Sequence, residues 1–299
     1  MYLRPNSLNE ALEALASTGD AIVLSGGTDV FPPLTDRPLS GPVIDISALH
    51  EIAGIRQTDK YIVIGGRTTW TEIVKATLPR GFDGLKAAAR EVGSVQIQNQ
   101  GTVAGNICNA SPAADGVAAL MALDAEVTLT SRTGSRTVPL ADFILGNRKT
   151  LRRPDELLTS VQVPRRLENA ASAFLKLGAR RYLVISIVMV AANLVTDSRG
   201  IIREALICVG SCSPKAIRLA ALEQALRGVQ AKDLAGDAFR GGPPTKVELS
   251  PMRRADFLKD EHFAPLSPIN DVRGSATYRN DAARTLVART LSLCAKKVA

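Results

Sequence analysis

The sequence predicts an α+β protein of two domains, and three observations carry that prediction. The chain has 299 residues, 45% of them hydrophobic, which is ample for a sizeable core and long for one domain. Up to about residue 164, short apolar strand-like runs alternate with helical stretches. Near residue 170 the character changes, and Ala171 to Leu177, Val184 to Val195 and Ile201 to Val209 follow one another as strands. Strands in succession, with helices after them, predict a three-stranded antiparallel sheet with helices on one side. The domain boundary is expected between residues 164 and 172.

The elements follow in order. Leu8, Leu12 and Leu15 share one helical face, which Gly19 ends. Ala21 to Leu24 reads as a short buried strand running straight into Ser25-Gly26-Gly27-Thr28-Asp29. A strand that ends in Gly-Gly lets several backbone N–H groups converge on a phosphate. The pattern is not GxGxxG, and Pro32 and Pro33 break the chain where a long helix would have to follow. That argues against a Rossmann unit, and the absence of GK[ST] excludes a Walker A loop. Val43 to Ile46, Ile52 to Gln57 and Tyr61 to Ile64 read as strands, the last two joined at Thr58-Asp59-Lys60. Thr69 or Thr71 can cap a helix through Lys75, and Gly84 to Val92 supplies another.

The stretch from Gln98 to Asp115 organises the chain. Gly101 and Gly105 bracket an apolar step, and Thr102, Asn106, Asn109 and Ser111 offer small donors and acceptors. Asp115 stands where a cap would stand for a helix from Gly116 to Leu123. A tight loop before a capped helix explains this much by itself. Free N–H groups at a helix start would also bind an anion, and the second glycine loop upstream favours that reading. A hairpin follows, Val127–Thr130 with Arg136–Val138, turning at Thr133-Gly134. Phe143 to Thr150 reads as a basic loop, and Leu157 to Val163 as a strand stopped by Pro164. After the three later strands, a helix over 215–227 starts at Pro214. Links at Gly241–Pro244 and Pro265–Pro268 precede a last helix from Ser275 to Lys296.

Composition narrows the function. The net charge is +8, but the basic residues come in scattered pairs and aromatics make up 4%, unlike a nucleic-acid reader. No apolar run reaches 18 residues, so a membrane span is not expected, and no secretory signal is visible. Cys108, Cys208, Cys212 and Cys294 form no CxxC pair, which suits reduced thiols in a cytoplasmic protein. An iron–sulfur cluster held by this chain alone is not expected, since only Cys208 and Cys212 lie close. His50 and His262 are not spaced with other ligands for a metal. No GxSxG elbow supports a hydrolase.

Five blocks, in order, resemble the FAD-binding (medium) subunit of the molybdenum hydroxylases, the group of xanthine dehydrogenase and carbon monoxide dehydrogenase. They are LSGGTDV at 24–30, QNQGTVAGNICNASPAAD at 98–115, RKTLRRPDELLTSVQVP at 148–164, AFLKLGARR at 173–181 and INDVRGSATYR at 269–279. The resemblance implies a two-lobed FAD-binding domain of the PCMH (vanillyl-alcohol-oxidase-like) type over 1–168, with lobes of about 1–55 and 56–168. A smaller C-terminal domain of the carbon monoxide dehydrogenase flavoprotein type would fill 169–299.

On that resemblance, FAD lies extended between the lobes. Leu24, Ser25, Gly26, Gly27, Thr28, Asp29 and Val30 would wrap its diphosphate from one side. Gly101, Thr102, Gly105 and Asn106 would hold it from the other, with Ser111 in the same stretch. Asp115 would accept a hydrogen bond from the adenosine end. Leu157 and Leu158 would pack near the isoalloxazine edge, and Lys176 would approach the flavin or a phosphate. Ala104 stands where the family often has Gly, and Ser25 where Ala is common; both are small enough for close backbone approach. The cysteine-rich insertion of some relatives is absent. The implied role is electron transfer: a molybdenum-cofactor large subunit oxidises the substrate, a 2Fe-2S small subunit relays electrons, and FAD here passes them to NAD or another acceptor. The chain itself then needs no general acid or base. The alternatives are a self-contained FAD oxidoreductase and a non-catalytic nucleotide-binding protein.

Overall fold

A computed structural model describes residues 1–34, 37–181, 183–235 and 258–298; the Gly241–Pro244 link lies outside the described residues. The chain begins with β1 (Tyr2–Leu3), α1 (Leu8–Thr18), β2 (Ile22–Leu24) and β3 (Val43–Asp45), whose strands form a parallel sheet in the order β1-β3-β2. The Ser7 side chain starts α1 by accepting from the N–H of Glu10, and Gly19 ends it at φ +67°. The buried face of α1 (Ala11, Leu12, Leu15) packs with Ile44 and Leu49.

The next segment comprises β4 (Ile55–Gln57), β5 (Tyr61–Gly65), α2 (Trp70–Lys75), α3 (Asp83–Glu91), α4 (Val95–Gln100), α5 (Val103–Asn109), α6 (Asp115–Met121), β6 (Glu126–Ser131), β7 (Gly134–Pro139), α7 (Leu140–Phe143), β8 (Ile144–Gly146), β9 (Lys149–Thr150) and β10 (Leu157–Pro164). Its main sheet is antiparallel, ordered β4-β5-β10-β6-β7. Thr69 and Glu72 form a capping box that starts α2. The β6–β7 pairing closes at Ser131 opposite Gly134, so the turn residues are Arg132 and Thr133, one earlier than expected. The basic loop folds partly into the β8–β9 hairpin.

The largest local difference lies between residues 95 and 109, where the expected glycine loop contains two short helices ahead of the expected helix, which is present as α6. At six and seven residues, α4 and α5 are too short for a 3.6-residue period to show. Their starts are set by caps instead: Ser94 accepts from the Ile97 N–H, and Thr102 from the Gly105 N–H. Ala114, not Asp115, is the cap residue of α6, because Asp115 already lies in the helix with its carboxylate turned to other partners.

The remaining elements are β11 (Ala171–Leu177), β12 (Val188–Thr196), β13 (Ile202–Gly210), β14 (Ile217–Arg218), α8 (Ala220–Ala225), α9 (Asp260–Phe263) and α10 (Ala276–Val298). The three expected antiparallel strands are present, and two-residue β14 adds a fourth beside β13. That pairing takes Ile217 and Arg218 out of the helix expected over 215–227, which shrinks to α8. Helices cover both faces of the sheet. Val190, Ala192 and Ile207 face the core shared with α10, whereas Met189, Ala191 and Leu206 join the core of the first segment beside α3 and α6. A strand buried on both faces reads as an unbroken apolar run, which is why β12 shows no alternation.

Polar bonds stitch the two halves together. Asn193 Nδ2 donates to the Ala122 carbonyl at 2.8 Å, the Ser211 N–H to Pro112 O at 3.0 Å, and the Gly84 N–H to Ser172 Oγ at 3.0 Å. Asp124 accepts ion pairs from both Arg166 and Arg218. No helix among the described residues is long and apolar enough to cross a membrane.

Candidate functional site

The two glycine stretches meet face to face. A Cβ on Gly26 would lie 1.8 Å from the Gln100 carbonyl oxygen, so the first loop rests directly on the C-terminal end of α4. Gly27 has φ +69°, and the Phe31 ring fills the place its Cβ would take. Around Gly105, apart from its chain neighbours and the backbone of its own helix, Thr102 Oγ1 is the only atom of the described residues within 4 Å of such a Cβ. Between the stretches runs a cleft of about 500 Å³, within the usual range for a small-molecule site.

The N–H groups at the start of α5 are not free: Val103 donates to Thr68 O at 2.9 Å, Ala104 to Gly66 O at 3.3 Å and Gly105 to Thr102 Oγ1 at 3.1 Å. The available donors lie on the other wall, where no described residue accepts from the N–H of Gly26, Gly27 or Thr28. Opposite them, Asn106 Oδ1 is buried with no partner, and a buried acceptor left this way awaits a donor.

Of the expected residues, Ser25 to Val30, Gly101, Thr102, Gly105, Asn106, Leu157 and Leu158 line this cleft. Leu24 does not; it is 7% exposed at the end of β2 and belongs to the interior. Ser111 does not either, and its Oγ accepts from the Ala113 N–H in the turn before α6. Asp115 and Lys176 line a second cavity of about 320 Å³, which shares Val92, Ile97 and Asn106 with the first.

The resemblance gives Asp115 to the adenosine end and Lys176 to the flavin or a phosphate, and the fold brings the two side chains together. Lys176 Nζ donates to Asp115 Oδ2 at 2.6 Å, and Ser186 Oγ donates to Oδ1 at 2.6 Å. The two side chains are 7% and 6% exposed. Burial pushes the Asp115 carboxyl above its ordinary value, opposed by the Lys176 charge and by the two hydrogen bonds. Sequence distance hid the pair: 61 residues separate its members.

Other lining residues went unassigned in the sequence. Arg148 and Arg152 both reach the cleft, as do Asn109 and Cys108. Arg148 belongs to the basic loop read from the sequence over Phe143 to Thr150, and Arg152 follows in the same family block. Arg148 sits at φ +58°, its N–H donates to Ala110 O at 3.0 Å, and its guanidinium donates to Asn109 Oδ1. Burial pushes the Cys108 thiol up to about 11, which suits an inert side chain rather than a nucleophile. No group of His, Cys, Asp and Glu among the described residues could hold a metal ion.

A dinucleotide fits these features. The free N–H groups suit a diphosphate, the orphaned Asn106 oxygen suits a sugar or ring donor, and the two arginines supply positive charge.

Comparison with known proteins gives the same answer. The model of the FAD binding domain in molybdopterin dehydrogenase matches residues 1–166, and that of the CO dehydrogenase flavoprotein C-terminal domain matches 173–239. The nicotinate dehydrogenase FAD-subunit of Eubacterium barkeri is 37% identical over 207 residues, covering 67% of this chain and 70% of that protein. The 6-hydroxypseudooxynicotine dehydrogenase complex subunit alpha of Paenarthrobacter nicotinovorans is 31% identical over 97% of this chain and 93% of its own length. A chain in a solved structure of carbon monoxide dehydrogenase from Hydrogenophaga pseudoflava superposes with a TM-score of 0.82 at 28% identity, covering 98% of this chain and 96% of that one. With more than half its length matched by the family model and its cleft built from the two glycine stretches, the chain belongs to the FAD-binding subunits of the molybdenum hydroxylase family.

Proposed function

We propose that this chain is the electron-transfer subunit of a cytoplasmic molybdenum-containing hydroxylase or dehydrogenase complex, working beside a molybdenum-cofactor subunit and a 2Fe-2S subunit. The observation that carries the reading is the cleft itself: N–H groups at Gly26–Thr28 without an acceptor among the described residues, on the wall across from the Asn106 oxygen, likewise without a partner there, in a chain of this family. The relatives support the multi-subunit setting by their names, a FAD-subunit and a complex subunit among them. FAD, when bound, supplies the redox chemistry, accepting electrons from one partner and releasing them to NAD or another acceptor.

The protein's part is placement. Gly26, Gly27 and Thr28 donate to the diphosphate, and Thr102, Gly105 and Asn106 form the facing wall. Leu157 and Leu158 shield an aromatic part of the cofactor. Lys176, fixed by Asp115 and the Glu91 carbonyl, holds a polar edge at the second cavity. The test is a visible spectrum of the purified chain with added FAD, followed by mass identification of what is retained. Flavin bands with FAD recovered support the reading; a colourless chain, alone and when co-expressed with its neighbouring subunits, overturns it. Catalytic turnover by the chain without partners would favour a self-contained FAD oxidoreductase instead.

A further inference from the structure

We propose that Arg148 and Arg152, rather than Lys176, supply the positive charge that the cleft sets against its anionic ligand. The proposal rests on the FAD reading and assigns two residues to it. Lys176 is the obvious cation from the sequence, but its charge is spent on Asp115 at 2.6 Å inside the protein. The charged residues lining the main cleft are Asp29, Arg148 and Arg152.

Several arginines away from the cleft are paired with carboxylates. Arg136 is paired with Glu156, Arg166 with Asp124, Arg218 with Glu223 and Arg279 with Asp271. No carboxylate among the described residues comes within 4.0 Å of Arg148 or Arg152. Neutral acceptors hold both instead. Asn109 Oδ1 accepts from Arg148, and the carbonyls of Arg153 and Glu156 accept from Arg152 Nη1 at 3.1 and 2.9 Å. Bonds to neutral oxygens position a guanidinium without cancelling its charge. The β8–β9 hairpin fixes the approach of Arg148, whose N–H is tied to the end of α5 through Ala110 O, and the 152–156 turn fixes Arg152.

Two uncancelled cations beside a concave, partly apolar wall concentrate their field in the cleft, and the matching ligand is a dinucleotide carrying a diphosphate dianion. Asp29, exposed on the facing loop, opposes them in part. Their charge therefore contributes to affinity and to the rate of capture, both screened by salt.

The test is titration of the flavin-free full chain with FAD, at low and at moderate ionic strength, followed by flavin fluorescence. Arg148→Gln and Arg152→Gln should each weaken binding about three- to tenfold at low salt and flatten its salt dependence. Arg152→Lys, which keeps the charge, should stay within about twofold of the parent. Because Arg152 also ties the 152–156 turn, the exposed Arg148→Gln variant guards against a folding artefact, and melting temperatures check both. Unchanged affinity and salt dependence in both glutamine variants would overturn the proposal while leaving the flavin reading intact. A parent chain that binds FAD in no form overturns the flavin reading first, and this assignment with it.

Discussion

Replacing Lys176 with methionine should cost the protein about 3–5 kcal/mol, the usual range when one partner of a buried ion pair is removed. The geometry puts the site firmly in that class. The pair is 2.6 Å apart with both side chains under a tenth exposed, and Lys176 is the only cation among the described residues that bonds Asp115. Methionine fills most of the lysine's volume, so the loss comes from the stranded carboxylate rather than from a cavity. For a chain of this size the melting temperature should fall by about 6–10 °C. The Asp115→Asn, Lys176→Met double variant leaves no uncompensated charge and should recover most of the loss. The pH dependence has a fixed sign. Burial raises the Asp115 carboxyl in the folded state, and removing Lys176 raises it further. A carboxyl raised on folding contributes stability below its unfolded value, and that stability is lost as pH rises through the folded value. The Lys176→Met deficit should therefore be larger at neutral pH than near pH 4. Thermal melts of the two variants across that range decide the matter. A double variant as unstable as the single one would refute the account.

Three other outcomes follow from particular contacts. Gly26→Ala places a methyl group 1.8 Å from Gln100 O; forcing the cleft walls apart should cost about 1–3 kcal/mol and at least tenfold in FAD affinity, and an unchanged titration would contradict the close approach. Asp271 is held down to about 2 by the Arg273 N–H first, then by the Arg279 and Arg273 guanidiniums. Its contribution is complete above the ordinary carboxylate value and is lost as pH falls toward 2, so Asp271→Asn should flatten the acid limb of an unfolding curve. With its thiol at about 11, Cys108 should react with iodoacetamide far more slowly at neutral pH than a free cysteine, and fast labelling there would mean an exposed thiolate.

What the sequence made legible depended on the range of the signal. β11, β12 and β13 were readable because long apolar runs announce buried strands, and α10 because its 23 residues give several helical turns. The stretch 98–115 misled because α4 and α5 are one to two turns long and α5 carries Gly105 inside. Both glycine motifs were visible, and the N–H groups expected to converge at Gly26-Gly27 have no acceptor among the described residues, whereas those of the second motif are taken up locally. Caps and neighbouring carbonyls satisfy the start of α5, and Thr68 and Gly66, which supply two of those carbonyls, lie more than thirty residues upstream. The fourth strand was missed because two residues carry no pattern, and Asp115 with Lys176 because only the folded chain brings β11 onto α6.

Helix α6 sets a limit on how this protein can be rebuilt. All seven of its residues are buried, with the first core on one flank and β12 and β13 on the other. An isolated N-terminal portion ending near residue 168 would expose an apolar helix and leave Asp115 without its lysine. Grafting the C-terminal portion of a related protein onto this one would succeed only if the donor also brought the inward faces of β11 and β12, lysine included. The two portions have to be inherited and exchanged as matched halves, even though family models describe them separately.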